Sequence, residues 1–185
     1  MVLDVADDDA LTRLALAAGR GDRRALDEFI RASERDVWRT VAYLADPGMA
    51  DDLTQETFIR ALGALPRFAG RSSARTWLLS IARRVVVDQI RRNQARPRTT
   101  GQIDLEDVLS TSPGQARFED VIEITMLVDG LEPDRRDALV LTQVLGLSYA
   151  EAAEVCGCPL GTIRSRVARA RDDLITAAER DERAG

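Results

Sequence analysis

The sequence predicts an all-α protein made of two small helical domains joined by a flexible linker, and three observations carry that prediction. Aromatic residues make up only 4% of the chain, and the apolar positions are mostly Ala, Leu, Val and Ile with no long strand-like alternation. The six prolines, Pro47, Pro66, Pro97, Pro113, Pro133 and Pro159, all fall where a helical period ends, as expected of a residue that removes a backbone donor and clashes one turn back. Around residues 95–115, "ARPRTTGQIDLEDVLSTSPGQ", Pro, Gly, Thr and Ser interrupt any helical period, so this stretch reads as the linker. The domains are accordingly expected at 1–96 and 116–185, with the linker at 97–115. At 185 residues and 45% apolar content the chain can bury at least one core.

The first domain is expected to hold helices at 8–20, 22–45, 50–64 and 73–94. The third begins "ADDLTQETFIRAL", where Asp51 and Asp52 are candidate caps and Gln55, three after Asp52, can complete a capping box. Its polar face, Asp52, Gln55, Glu56 and Arg60, suits docking on a protein partner, although polar helix faces are usually just wet. In the fourth, a helical wheel puts Leu78, Leu79, Ala82, Val85, Val86 and Ile90 on an apolar stripe and Trp77, Ile81, Arg84, Asp88 and Arg91 on the other side. Aromatic and arginine side chains sharing an exposed face suit single-stranded nucleic acid, whose bases are unstacked and whose phosphates need neutralising. The competing reading has Trp77 filling a gap in the core.

The second domain is expected to hold helices at 116–130, 134–145, 148–156 and 160–179. "LSYAEAAEVCG" opens with Ser148 and has Glu151 three residues on, the reciprocal capping box. Gly157 supplies a left-handed stop and Pro159 suits the first turn of the next helix. Helix, short glycine-containing turn, helix is the DNA-binding helix-turn-helix. On the last helix Ile163, Val167, Ala170 and Leu174 share one stripe. Thr162, Arg164, Ser165, Arg166, Ala168 and Arg169 are left on an exposed arc suited to the major groove, where arginine pairs with guanine and small residues permit close approach.

The net charge of −5 conceals a segregation. Residues 67–98 carry nine Arg against one acid, and residues 159–171 carry four Arg and no acid, within an otherwise acidic chain. Every basic residue is Arg, which a GC-rich genome explains better than any need for planar bidentate groups. Cys156 and Cys158 have no third cysteine and no histidine to complete a metal site. Their spacing gives no disulfide framework either, so they read as small apolar residues in the turn. With no histidine and no clustered carboxylates the residues assemble no catalytic set, so neither an enzyme nor a cofactor is expected. The acidic start "MVLDVADDDA" is unlike a secretory signal and no apolar run is long enough to span a bilayer, so a cytoplasmic protein without membrane association is expected.

Taken together, "DDLTQETFIRAL", "RFAGRSSARTWLLSIARRVVVDQIRR" and "GLSYAEAAEVCGCPLGTIRSRVARARDDL" resemble, in order and spacing, an extracytoplasmic-function (group IV) RNA polymerase sigma factor. The resemblance implies an N-terminal domain that binds the polymerase clamp and the upstream promoter strand, and a C-terminal domain that reads the minus-35 element. It implies RNA polymerase core as partner, through the clamp of its beta-prime subunit and the flap of its beta subunit, together with promoter DNA. It leaves open whether an anti-sigma factor is a further partner. Asp52, Gln55 and Glu56 match the clamp-docking helix. Phe68, Ile81, Ala82 and Arg84 match positions around a flipped minus-10 base, Arg84 standing where relatives commonly have Asn. Arg164, Ser165, Ala168 and Arg169 match the minus-35 readers, Ala168 being smaller than the aromatic of some relatives. The linker acids Asp104, Glu106 and Asp107 match a segment that threads through the polymerase. The rival reading is a helix-turn-helix regulator that binds double-stranded operator DNA without polymerase.

Overall fold

A computed structural model describes residues 5–95 and 124–184, and among these residues every regular element is helical. The N-terminal set is α1 (Val5–Gly19), α2 (Arg23–Leu44), α3 (Ala50–Ala64) and α4 (Ala74–Ala95). The C-terminal set is α5, helical over 124–128, then α6 (Pro133–Leu139), α7 (Tyr149–Cys156) and α8 (Leu160–Ala184). The expected linker at 97–115 and the first part of the helix expected at 116–130 lie outside the described residues, as do the acids Asp104, Glu106 and Asp107.

Local chemistry explains most helix ends. The Asp22 carboxylate accepts from the Arg24 and Ala25 N–H groups and starts α2. At α7 the capping box forms as expected: Glu151 N–H donates to Ser148 Oγ while Ser148 N–H donates to the Glu151 carboxylate. Gly157 is left-handed, with φ 64° and ψ 39°, and Cys158 N–H donates to Ala153 O at 3.0 Å, closing the helix end. Two expectations are corrected. Asp51 and Asp52 do not cap α3, because a 3₁₀ turn over Pro47–Met49, itself capped by Asp46, runs straight into the helix and leaves both aspartates inside its first turn. Asp51 instead accepts from Trp38 Nε1 at 2.8 Å. The helix expected at 134–145 changes winding at Val140–Val144, which form a π-turn.

Phe29, Val37, Val41, Leu78, Leu79 and Val85 fill the centre of the N-terminal set, and Val140, Leu141, Ile163 and Val167 that of the C-terminal set. The two sets pack against each other through α4 and α7, and their apolar interiors form one continuous cluster. Arginines of α4 seal this contact. Arg75, only 7% exposed, holds Asp36 of α2 at 2.6 Å and donates to Leu145 O beyond the π-turn at 2.8 Å. Arg83 Nε lies 2.7 Å from the Asp137 carboxylate of α6 and its Nη2 reaches Asp134 at 3.4 Å. Burial pushes the Asp137 carboxyl above its ordinary range, and the Arg83 charge opposes that shift. Among the described residues no helix is long and apolar enough to cross a membrane.

Candidate nucleic-acid interface

The C-terminal surface is built on α8, which α7 and the αL turn at Gly157 hold in place. Ile163, Val167 and Ala170 are 0%, 1% and 0% exposed, and Leu174 is half-buried, so the expected stripe anchors the helix. Arg164, Ser165, Ala168 and Arg169 are exposed on the far side, and Thr162 is half-buried beside them. Arg166 is different. It pairs with Asp134, and its Nη1 lies 3.6 Å from Cys158 Sγ, so one of the six residues expected on the exposed arc is turned toward the body of the protein.

The cysteines take part in that packing. Burial pushes the Cys156 thiol up to about 12, far from the thiolate that a nucleophile or metal ligand requires.

The N-terminal surface lies on α4 and the segment before it. A 3₁₀ turn over Leu65–Arg67 delivers Phe68 in extended conformation, and its ring meets Trp77 with centroids 4.8 Å apart at a tilt of 38°. Both rings are half-buried, which joins the two readings of Trp77: one side packs and the other is open. Ile81, expected on the exposed side, is 9% exposed, and Ala82 is fully enclosed. Ile81 sits three residues after Leu78 and four before Val85, so a core that wraps further round the helix takes it in. Ile90, assigned to the apolar stripe, is 38% exposed near the end of α4. Arg84 and Arg91 are exposed without an ion-pair partner among the described residues.

Pairing thus divides the arginines. Arg75, Arg83, Arg135, Arg136 and Arg166 have carboxylate partners within the fold. Arg84 on α4, and Arg164 and Arg169 on α8, form no salt bridge among the described residues and can meet phosphates or base edges, as can Arg91, which is exposed although its charge acts on Asp88. Sequence reasoning could not make this division, because all of these carboxylates but the Asp129 partner of Arg136 lie 32 or more residues away along the chain.

On α3, Asp52 and Gln55 are exposed and Glu56 is half-buried. The Glu56 carboxylate accepts from Arg60 Nε at 2.8 Å, and Arg60 Nη1 reaches Asp88 of α4 at 2.6 Å. Arg60 and Glu56 therefore tie α3 to α4 across the surface of their seam, more than a third exposed, while Asp52 and Gln55 stay open. Ile59 and Leu62 on the same helix are 66% and 37% exposed, an apolar component that the expected polar face did not include.

The model for Sigma-70 region 2 matches residues 29–96, and that for Sigma-70 region 4 matches residues 122–174. The chain is 58% identical over its full length, and the relative's, to a Mycobacterium tuberculosis protein named ECF RNA polymerase sigma factor SigC. It is 31% identical to the ECF RNA polymerase sigma-E factor of Escherichia coli, over 84% of this chain and 87% of the relative. Among solved structures, CnrH in complex with the cytosolic domain of CnrY superposes with a TM-score of 0.72 at 25% identity, covering 93% of this chain and 99% of that one. The sigma factor RpoE of Bartonella quintana, in complex with the anti-sigma factor NepR, gives 0.63 at 25% identity, covering 83% and 96%.

Proposed function

Because this chain belongs to the extracytoplasmic-function sigma factors of the sigma-70 family, we propose that α3 docks on RNA polymerase core while α4 and α8 read the promoter. As an alternative sigma factor it directs the polymerase to its promoters and starts transcription there, working beside the polymerase in the cytoplasm. The relatives it matches are named as sigma factors, not as enzymes. An anti-sigma factor, the partner in the Bartonella structure, is a further candidate partner.

The observation that carries the reading is a pair of exposed arginine faces without salt bridges among the described residues, one on the same side of α4 as Trp77 and one on the second helix of a helix-turn-helix. The first suits an unstacked strand, where aromatic and arginine groups take bases and phosphates. The second suits the major groove of intact duplex. A protein with both surfaces fits a junction between closed and opened DNA, the need of a factor that melts a promoter. Opening the pairs costs a few kcal/mol, which contacts to an extruded base offset.

The two elements lie about 25 base pairs apart, roughly 85 Å at about 3.4 Å per step. A compact chain of 185 residues has a radius of gyration near ~16 Å. The packed arrangement is therefore too small to touch both elements, and the α4–α7 contact has to open when the promoter is engaged. The acidic net charge weakens binding to free DNA, and a polymerase that holds both halves in register supplies the affinity that neither half has alone.

Run-off transcription with purified core polymerase tests the assignment. A promoter-dependent transcript on adding this chain is expected; tight operator binding without such a transcript would favour a plain helix-turn-helix regulator. Arg169→Ala should cost about 1–3 kcal/mol of binding at one base pair of the upstream element, measured by competition among substituted promoters. Equal loss on every sequence would make Arg169 a phosphate contact instead. Gln55→Ala should weaken holoenzyme formation, measured by titrating core polymerase, with the thermal melt unchanged because the side chain is exposed.

A further inference from the structure

We propose that α1 is a strut for the segment that carries Phe68, and that Thr12, Leu16 and Gly19 are positioning residues for minus-10 selection although none of them touches DNA. This rests on the reading of Phe68 and α4 given above, and extends it to a helix that lies ahead of the residues 29–96 matched by the region 2 model.

Thr12, Leu16 and Gly19 are spaced i, i+4 and i+7, so they share one face of α1. That face meets the segment 65–74 in antiparallel order. At one end Thr12 Oγ1 accepts from Ala74 N–H at 2.9 Å. Thr12 donates its own hydroxyl proton to Asp8 O at 2.9 Å, which leaves a lone pair aimed at Ala74. In the middle the Leu16 side chain covers Gly70, whose φ is 65°; a Cβ there would meet Leu16 Cδ1 at 3.5 Å. At the other end a Cβ on Gly19 would lie 2.7 Å from Leu65 O, closer than any side chain tolerates.

Ala74 is the first residue of α4, and its N–H is one of the donors that a helix start leaves without an intrahelical partner. Ser73 caps Thr76 N–H from within the same segment, so α4 has a local cap and a second one lent by α1. Phe68 sits between the anchors at Leu65 and Gly70, with its ring against Trp77. A base pocket works only when its lining is held to a fraction of an ångström by groups behind it. The strut fixes the segment at both ends and at its left-handed turn, while Arg67 and Arg71 stay exposed.

The test uses the full chain, alone and reconstituted with core polymerase. In a Trp38→Phe background the remaining Trp77 emission reports the Phe68–Trp77 geometry without any promoter. Gly19→Ala and Thr12→Val are expected to shift that emission, and Thr12→Ser to restore it by returning the acceptor. In transcription, the same two variants should lose about tenfold of the discrimination between a matched promoter and its single-base minus-10 variants, with discrimination at minus-35 unchanged. Phe68→Ala, run beside them, tests the reader itself. Unchanged emission in both α1 variants would overturn the strut, whatever Phe68→Ala does. Shifted emission with unchanged minus-10 discrimination would overturn the positioning role. If Phe68→Ala then also leaves discrimination intact, the assignment of Phe68 as a reader falls as well. Equal loss on all promoters that Thr12→Ser fails to restore would mark general destabilisation and overturn the inference.

Discussion

Arg83→Ala is expected to release the C-terminal helices from the N-terminal ones. The guanidinium is 16% exposed and the Asp137 carboxylate it meets is 12% exposed, so the substitution leaves a buried charge without its partner. Breaking a buried pair from one side costs about 3–5 kcal/mol. Removing both partners, as in Arg83→Met with Asp137→Leu, should cost much less, because no unpaired charge remains. Small-angle scattering measures the outcome directly as a larger radius of gyration for the single variant than for the parent or the double variant. The loss should also depend on pH. Burial holds the folded pKa of Asp137 above the ordinary 3.8. Without Arg83 the penalty is absent below that unfolded value and grows as pH rises through the folded one. A single variant as compact as the parent at neutral pH would show that apolar packing alone holds the two sets together.

Ile163→Ala should abolish minus-35 reading without removing any group that faces DNA. Ile163 is 0% exposed and lies at the centre of the C-terminal set, where deleting a large aliphatic side chain costs about 2–5 kcal/mol. A helical unit of roughly 60 residues has only about 3–9 kcal/mol in all. The loss therefore competes with the whole stability of the set, and α8 loses the support that points its arginines outward. Thermal unfolding followed by circular dichroism should show a separate early transition, and transcription should lose its dependence on the upstream element. Arg169→Ala gives the contrast: the same promoter element is affected, with the melt of the parent. If Ile163→Ala melts like the parent and still discriminates at minus-35, α8 is held by something other than its buried stripe.

The helix-turn-helix was legible because its signals are local. Ser148, Glu151, Gly157 and Pro159 act within a few residues of themselves, and Ile163, Val167 and Ala170 are read by periodicity alone. The caps of α3 were not, since a 3₁₀ turn at Pro47 moved the helix start ahead of the aspartates that a cap search selects. Of the DNA candidates, Arg84, Arg91, Arg164 and Arg169 stand on open surfaces, whereas Arg166, Ile81 and Ala82 have been drawn into the fold. A helical wheel gives each residue a direction but does not say what stands opposite.

The sequence by itself determined the all-helical class, the order of the helices, the two arginine-rich islands and the family, because each follows from spacing over a few turns or from motifs in order. Only the tertiary structure decided which arginines are spent on carboxylates, that α4 and α7 pack together, and that α1 lies along the segment bearing Phe68. Those outcomes depend on partners 54 residues apart for Arg83 and Asp137, 70 for Arg75 and Leu145, and 62 for Thr12 and Ala74. Local pattern fixes the direction in which a side chain leaves its helix; the partner it finds there is fixed by how the helices close on one another.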